Sequence, residues 1–402
     1  MDISTSTTIL NSLFNFIPQT FQGSVYAKYI QYWPILLIGM VLALILTPII
    51  GHIATKYDIT YKPGVKRKDK EFENEQKAVH EGVTPALGGL ALTIPALIAI
   101  LVFFRLDSFT LPLVLALSIL IIGTALDDIF NLPAKIQFGY QLLAASIIAF
   151  SVINLTNLSL FNLPLDSYVW NFSILGLQQS LALPGDILLI FWILVCINAV
   201  KWTAGSPGII EANSLIIFAL IFVIAIRSTS LFSATLSILM AGGLLVFLIF
   251  AFPPQKIMTG SSGKTIYGLL ICVLALIADS KFSTTIMLLA LPVIDFAYVI
   301  IKRFIIYKPK NLIELIRISD TNHIHHQLLK LNLNRKQVVL IETAITLFLG
   351  SFAVLSTGAL RFFAIILVLA LCIAFIVYIN IRASQRKFTD KKGESPESKY
   401  SY

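Results

Sequence analysis

Long apolar runs alternate with short polar connections along nearly the whole chain. A helix that crosses a bilayer needs roughly 20 mostly apolar residues, and somewhat fewer where neighbouring helices shield its ends. By that measure we predict eleven transmembrane helices in an all-α, polytopic integral membrane protein. The predicted spans are 33–52, 84–104, 111–126, 138–154, 187–200, 212–226, 232–251, 266–279, 284–301, 338–356 and 362–381. Residues 1–30 then form an external segment, residues 31–381 a single transmembrane domain, and residues 382–402 a basic, disordered tail.

The composition supports this class and adds an orientation. Apolar residues make up 57% of the chain and charged residues only 13%, which is outside the range of soluble domains. With the N-terminus outside, 25 of the 30 lysine and arginine residues fall in inside connections or in the tail. Because basic residues concentrate on the cytoplasmic side of membrane proteins, the net charge of +9 indicates orientation, and no nucleic-acid partner is needed to explain it.

Three cysteines, Cys196, Cys272 and Cys372, all fall within predicted spans. Their spacing matches neither a zinc site nor a disulfide framework. We therefore expect them to be small apolar packing residues.

Two adjacent carboxylates, Asp127 and Asp128, close the third predicted span, and Lys135 follows in the same connection. Like charges side by side favour a cation between them, so the pair suits a divalent metal with oxygen ligands. Lys135 could meet a phosphate at the same rim. The alternative is that the pair only marks the end of a helix at the membrane surface.

The early inside segments carry basic and small residues. The basic cluster Lys66, Arg67 and Lys68 either fixes the topology or contacts phosphate near an anionic leaflet. The small residues of TPALGGLAL, residues 84–92, would let another helix approach closely.

Two later inside segments offer donors to an anion. The fifth span ends on Asn198 and Lys201, before a turn that contains Gly205; a tight connection between spans would look the same. In the loop 252–265, the run GSSG precedes Lys264. Exposed backbone amides beside a lysine resemble a small anion nest, although the full phosphate-loop signature is missing.

The ninth span and the loop after it hold the densest polar cluster. Asp295 lies inside an apolar helix, where a carboxylate is costly and usually faces a polar cavity. Arg303 follows near the start of the longest inside loop. That loop contains His323, His325 and His326, three of the five histidines of the protein. Histidine can ligate a metal, donate to a phosphate or exchange a proton near neutral pH, so we favour a functional role for this cluster.

All of these candidates fall on the inside face. One polar site built from several loops and flanked by lipid fits an enzyme that joins a soluble anionic substrate to a lipid. The motifs TPALGGLAL, LDDIFNLPAK, NAVKWTAGSPG, FPPQKIMTGSSG, LPVID and DTNHIHHQLL, in this order, resemble the polyprenyl-phosphate N-acetylhexosamine-1-phosphate transferases of the glycosyltransferase family 4 type. The form DTNHIHH is similar to the undecaprenyl-phosphate N-acetylglucosaminyl-1-phosphate transferase branch more than to the phospho-N-acetylmuramoyl-pentapeptide transferase branch.

The resemblance implies transfer of sugar 1-phosphate from a UDP-sugar to undecaprenyl phosphate, with release of UMP, at a bacterial plasma membrane. Magnesium, or alternatively manganese, would be the cofactor. The implied partners are the UDP-sugar, undecaprenyl phosphate and membrane lipid, with a homodimer as a further option. The resemblance also implies that the aspartate pair binds the metal or activates the lipid phosphate, and that Lys135 contacts this phosphate. The three histidines would contact the diphosphate of the nucleotide-sugar. The uridine side would be lined by Asn198 and the Gly205 turn, and Lys201, Lys264, Asp295 and Arg303 complete the predicted binding residues.

The chain departs from the family at three expected aspartates. Ala204 and Pro207 stand where the turn after Asn198 carries two of them, and Ser261 stands where the third is a magnesium ligand. Three readings follow. The first is an active transferase in which Lys201 and Lys264 supply part of the missing charge neutralisation. The second is a degenerate relative that binds nucleotide-sugar or lipid phosphate without turnover. The third, a transporter, is disfavoured because the polar residues cluster on one face.

Overall fold

A computed structural model of the chain describes residues 7–15, 26–61, 83–151, 157–158, 163–164, 166–174, 176–279, 282–311, 314–315, 318 and 320–393. These residues form a bundle of α-helices with three short antiparallel strand pairs, so the predicted all-α membrane class is confirmed. The helices are α1 (Thr8–Phe14), α2 (Ala27–Ile30), α3 (Trp33–Lys56), α4 (Leu90–Phe103), α5 (Thr110–Phe130), α6 (Ala134–Ala149), α7 (Gly185–Thr203), α8 (Ile209–Arg227), α9 (Leu231–Ala251), α10 (Gly260–Asp279), α11 (Phe282–Leu288), α12 (Ala290–Tyr307), α13 (Ile324–Lys330), α14 (Arg335–Leu355) and α15 (Leu360–Gly393). The strand pairs are β1 (Thr60–Tyr61) with β2 (Thr84–Pro85), β3 (Asn157–Leu158) with β4 (Leu163–Pro164), and β5 (Tyr168–Ile174) with β6 (Leu177–Leu183).

A helix lies at each of the eleven predicted positions. Fewer of these helices, however, have the length and apolar composition that a membrane crossing needs. Within the described part of the chain, eight helices are long and apolar enough to cross a membrane, or nine if the bent pair α11 and α12 forms one span. Helix α4 has 14 residues and α6 has 16, both short of the roughly 20 that a full crossing needs. The predicted count of eleven is therefore not confirmed.

Helix α10 is the centre of the bundle. In its most apolar window 89% of the residues are buried, against 28% in the peripheral segment Ala27–Lys56. The segment before α4 lies against the beginning of α10, and a Cβ at Gly89 would lie only 2.1 Å from the Gly263 nitrogen. The predicted close approach at these small residues is confirmed. The three cysteines are buried and form no disulfide, as expected of packing residues.

Several polar motifs that the sequence places in loops lie in the terminal turns of helices. Helix α5 continues to Phe130 and α7 to Thr203, and α10 begins at Gly260. Side chains from other helices accept or donate hydrogen bonds at these ends, as described below, and so allow the helices to extend into the polar region. The polar residues are thus held by helices rather than by free loops.

Two predicted polar segments have different outcomes. The basic cluster at 66–68 lies outside them. Helix α15 continues to Gly393, into the segment 382–402 that is predicted to be a disordered tail. Arginine, alanine, glutamine and lysine, which are good helix formers, are frequent between 382 and 392, and the helix ends at a glycine.

Candidate active site

The candidate site begins in the last turn of α5, where Asp127 is 1% exposed. Its Oδ2 accepts a hydrogen bond from Ser261 Oγ at 2.6 Å, and its Oδ1 accepts one from Gln137 Nε2 at 2.8 Å. A buried carboxylate is costly unless hydrogen-bonded donors surround it. These two donors therefore hold Asp127 between α6 and the beginning of α10.

Asp128 faces the N-terminus of α10. Its carboxylate accepts the backbone N–H groups of Ser261 and Ser262 at 2.7 and 3.1 Å. N–H groups in a first helical turn have no partner within the helix, and the helix dipole favours a negative charge there. Gly260 has φ +69°, and a Cβ at this position would lie 2.5 Å from Asp128 Oδ2, so only glycine fits. The nest predicted for an anion is thus filled by a carboxylate of the same chain.

Lys201, in the last turn of α7, reaches the carboxylates through Gln137. Lys201 Nζ donates to Gln137 Oε1 at 2.5 Å, and the amide of Gln137 donates to Asp127 as described. One turn earlier, Asn198 Nδ2 donates to Gln141 Oε1 at 3.0 Å. Gln137 is absent from the predicted site residues. Its four-residue spacing from Gln141, which puts both amides on one face of α6, is the signal that could have found it.

Asp295 on α12 organises the histidine segment. Its Oδ2 lies 2.7 Å from His323 Nδ1, and its Oδ1 accepts the backbone N–H of Ile324 at 3.0 Å. Since His323 directly precedes α13, Asp295 both orients the imidazole and satisfies the first N–H of that short helix. With Nδ1 held by the carboxylate, Nε2 is the nitrogen that can face a ligand.

Arg303 and Asp320 form a buried ion pair beside the histidines. Arg303 Nε donates to Asp320 Oδ2 at 2.6 Å, and the two side chains are 5% and 3% exposed. Burial acts to raise the pKa of Asp320, but the Arg303 charge and hydrogen bond, the N–H of Asn322 and the His323 charge together lower that pKa below its ordinary value. Asp320 therefore stays ionised at neutral pH, and the pair ties α12 to the histidine segment.

Trp202 connects this segment to α7. The Arg303 guanidinium lies over the Trp202 ring, 4.5 Å from its centroid, and the ring contacts His323 edge-on with 6.0 Å between centroids. Lys201 is the preceding residue and reaches the carboxylate cluster. Two adjacent residues at the end of α7 therefore link the carboxylates and the histidines at one end of the bundle.

The turn after α7 lies against His325. A Cβ at Gly205 would come within 2.0 Å of His325 Nε2, so this contact requires glycine. The rings of His323 and His325 are stacked with centroids 5.7 Å apart, and the centroids of His325 and His326 are 4.3 Å apart. The structure thus brings the predicted histidines and the predicted glycine turn together.

Two predicted lysines have different surroundings. The charge of Lys264 acts on Glu211 of α8, whose carboxylate also accepts a hydrogen bond from the Thr259 hydroxyl. Glu211 therefore holds the turn before α10. Lys135 lies in the first turn of α6, is exposed, and has no hydrogen bond or ion pair with the described residues.

The residues present offer magnesium an incomplete ligand set. Among the described residues, no three histidine, cysteine, aspartate or glutamate side chains are grouped to hold a metal ion. Asp127 and Asp128 are the carboxylates that converge on Ser261. Because protein sites commonly hold magnesium with one or two carboxylates, waters and substrate phosphates, the pair fits such an ion when phosphate supplies further oxygens.

Comparison with known proteins identifies the relatives of this chain. Residues 109–279 match the sequence profile described as glycosyl transferase family 4. The chain is 27% identical over 364 residues to the probable undecaprenyl-phosphate N-acetylglucosaminyl 1-phosphate transferase of Bacillus subtilis (strain 168), covering 89% of this chain and 92% of the relative. It is 25% identical over 347 residues to the decaprenyl-phosphate N-acetylglucosaminephosphotransferase of Mycobacterium leprae (strain TN), covering 76% and 79%.

The other branch of relatives matches over a shorter region. The phospho-N-acetylmuramoyl-pentapeptide-transferase of Leuconostoc citreum (strain KM20) is 26% identical over 211 residues, which cover 50% of this chain and 64% of the relative. The predicted family resemblance and the predicted branch are both confirmed.

Proposed function

We propose that this chain, whose residues 109–279 match the sequence profile of glycosyl transferase family 4, transfers N-acetylglucosamine 1-phosphate from UDP-N-acetylglucosamine to undecaprenyl phosphate and releases UMP. The product would start a lipid-linked glycan of the bacterial cell envelope. Support comes from the two relatives named for N-acetylglucosamine phosphate transfer to a polyprenyl phosphate, which align over most of the chain.

The observation that carries the proposal is the junction at the end of α7. Lys201 reaches Asp127 through Gln137, and the adjacent Trp202 contacts Arg303 and His323. A lipid phosphate and a soluble diphosphate can react only if both are held at one membrane surface. The junction places the carboxylate cluster and the histidine segment side by side on rigid helix ends, where each can hold one of the two phosphates.

Each region has a proposed partner. In the reaction an oxygen of the lipid phosphate attacks the sugar-linked phosphorus, and the bond from that phosphorus to UMP breaks. Positive charge near the attacked phosphate lowers the repulsion between the two anions. Lys201 and exposed Lys135 provide that charge on the lipid side, and His323, His325 and His326 hold the diphosphate.

Magnesium belongs to the same proposal. When bound, it would neutralise phosphate charge during the transfer. Asp127 and Asp128 would hold it, with substrate phosphates completing the ligands. Manganese, which also accepts oxygen ligands, is the alternative.

A binder without turnover is the second candidate, and one observation favours it. Asp127 accepts the Ser261 hydroxyl, while Asp128 accepts two backbone N–H groups. The carboxylates are therefore satisfied by protein donors without any metal. Such a protein would bind uridine nucleotide or lipid phosphate and form no product.

The test is UMP release by the purified protein supplied with UDP-N-acetylglucosamine, undecaprenyl phosphate and magnesium. We expect release by the natural chain, loss of release in Asp127→Asn and His325→Ala, and unchanged release in the control Gly139→Ala, whose added Cβ meets nothing within 4 Å.

A second comparison separates the two candidates. The triple variant Ala204→Asp, Pro207→Asp, Ser261→Asp introduces the three aspartates that the family resemblance leads us to expect. If the natural chain releases no UMP and the triple variant does, the result would support the second candidate, a protein that binds without turnover. Absence of both release and uridine-nucleotide binding in the natural chain would overturn the proposed function.

A further inference from the structure

The hairpin β5–β6 lies at the end of the bundle opposite the candidate site. It connects the end of α6 to the beginning of α7, whereas the site is at the other end of both helices. Gln179 Nε2 donates to the Ser108 carbonyl at 3.2 Å, and Ser180 Oγ to the Ser151 carbonyl at 3.4 Å. Strand β6 is therefore fixed to the bundle, and β5 forms the outer edge of the hairpin.

The two faces of the hairpin differ in polarity. Side chains of a strand alternate between faces, and directly paired residues share a face. One face carries an apolar row on the outer strand, and the pairing register adds three leucines and one glutamine from β6. The opposite face carries Asn171 and Ser173 with their partners Ser180 and Gln178, besides Val169 and Ala182. The apolar row consists of Tyr168, Trp170, Phe172 and Ile174.

The apolar row is largely uncovered by the described chain. Tyr168 is 66% exposed, Trp170 52% and Ile174 55%. The rings of Tyr168 and Trp170 stack with centroids 6.1 Å apart. A two-stranded hairpin is marginal in water unless an apolar face is covered, so the row needs an apolar phase beside it.

The position of α7 supplies that phase. Helix α7 has 19 residues, which at 1.5 Å per residue span about 28 Å, close to the hydrocarbon thickness of a bilayer. Since β6 ends two residues before α7 begins, the hairpin lies at the boundary of the hydrocarbon layer. The exposed side chains of Ile187 and Phe191 in the first two turns of α7 continue the apolar surface towards the lipid.

We propose that the β5–β6 hairpin lies in the interface of the leaflet opposite the candidate site, with its Tyr168–Ile174 row against lipid. Tyrosine and tryptophan are favoured at this depth because their rings are apolar and their polar atoms reach headgroups and water. On the opposite face the outer-strand side chains Asn171 and Ser173 are turned to water, while Ser180 of the inner strand contacts the bundle. The hairpin thereby anchors the end of the bundle without entering the site.

The test compares two adjacent exposed positions on opposite faces, Ile174→Cys and Ser173→Cys. The three native cysteines are buried, so the unsubstituted chain gives the labelling background. Each variant is labelled with a thiol-reactive environment-sensitive fluorophore and placed in phosphatidylcholine nanodiscs, where both membrane faces are accessible. Quenching is measured with lipids that carry a nitroxide near the headgroup and, separately, with iodide in the water.

We expect several-fold stronger nitroxide quenching at 174 than at 173, and the reverse order for iodide. Equal iodide access at both positions with little nitroxide quenching would mean that the hairpin stands in water, which overturns the proposal. Shielding of 174 from both quenchers would also overturn it, because a second protein copy would then cover the row.

Discussion

Replacing Ser261 with aspartate tests the electrostatics of the site directly. Ser261 Oγ lies 2.6 Å from Asp127 Oδ2, and its backbone N–H binds Asp128. A carboxylate at 261 would place its charge roughly 4 Å from that of Asp127. At an effective dielectric constant of about 20, two such charges repel by about 4 kcal/mol. Ser261→Asp should therefore be strongly destabilised in the absence of a divalent cation.

The matched control is Ser261→Asn. Asparagine has nearly the same shape as aspartate but carries no charge, and its amide can donate to Asp127. The assay is thermal unfolding of the purified protein in EDTA and in magnesium. We expect Ser261→Asp to unfold roughly 5–10 °C below Ser261→Asn in EDTA. Magnesium at 100 times its dissociation constant should raise the free energy of unfolding of the aspartate variant by about 2.7 kcal/mol, and that of the asparagine variant by much less.

Two results would refute this reasoning. Equal unfolding temperatures of the aspartate and asparagine variants in EDTA would mean that position 261 does not share the field of Asp127. An equal gain of both variants from magnesium would mean that the ion binds elsewhere. In either case the carboxylate pair would not be the place where a metal and phosphate meet.

Two further substitutions test the histidine side. Gly205→Ala puts a Cβ 2.0 Å from His325 Nε2, so UMP release should fall at least about tenfold; the matched Gly139→Ala, with nothing within 4 Å, should keep full activity, and equal activities would contradict the contact. Asp320→Asn breaks the buried pair with Arg303 at a cost of roughly 3 kcal/mol or more. Because the pKa of Asp320 is lowered, its stabilisation is present above its unfolded-state pKa and is lost only as the pH falls through the lowered folded-state value. The difference in stability between Asp320→Asn and the natural chain should therefore be constant from about pH 5 to 8, and a difference that changes within this window would contradict the assignment.

The sequence predicts the elements better than their ends. Apolar periodicity locates the helices because burial in lipid or core selects long apolar runs. It does not show that α10 begins at Gly260, because that beginning depends on a carboxylate 132 residues earlier in the chain, Asp128. It does not show that α4 begins only at Leu90, since the preceding residues of the predicted span, 84–89, include apolar residues as well.

The sequence predicts which residue types form the site, but not the hydrogen bonds and ring contacts that join them. Motifs single out the aspartates and histidines because these residue types carry the chemistry. The link from Lys201 through Gln137 to Asp127 joins three helices, and an amide with no charge gives little signal in a single sequence. Trp202, which connects Arg303 to His323, reads in sequence as one more aromatic residue at a membrane boundary.

The two adjacent aspartates have different tasks. Asp128 is bound by backbone N–H groups of α10, so its position depends on the fold rather than on a metal or substrate. Asp127 is bound by side chains alone, those of Ser261 and Gln137. A substrate or metal can replace a side-chain donor far more easily than the N–H groups of a central helix. Asp127 is therefore the carboxylate that can exchange partners during binding, while Asp128 keeps α10 and the turn before it in place.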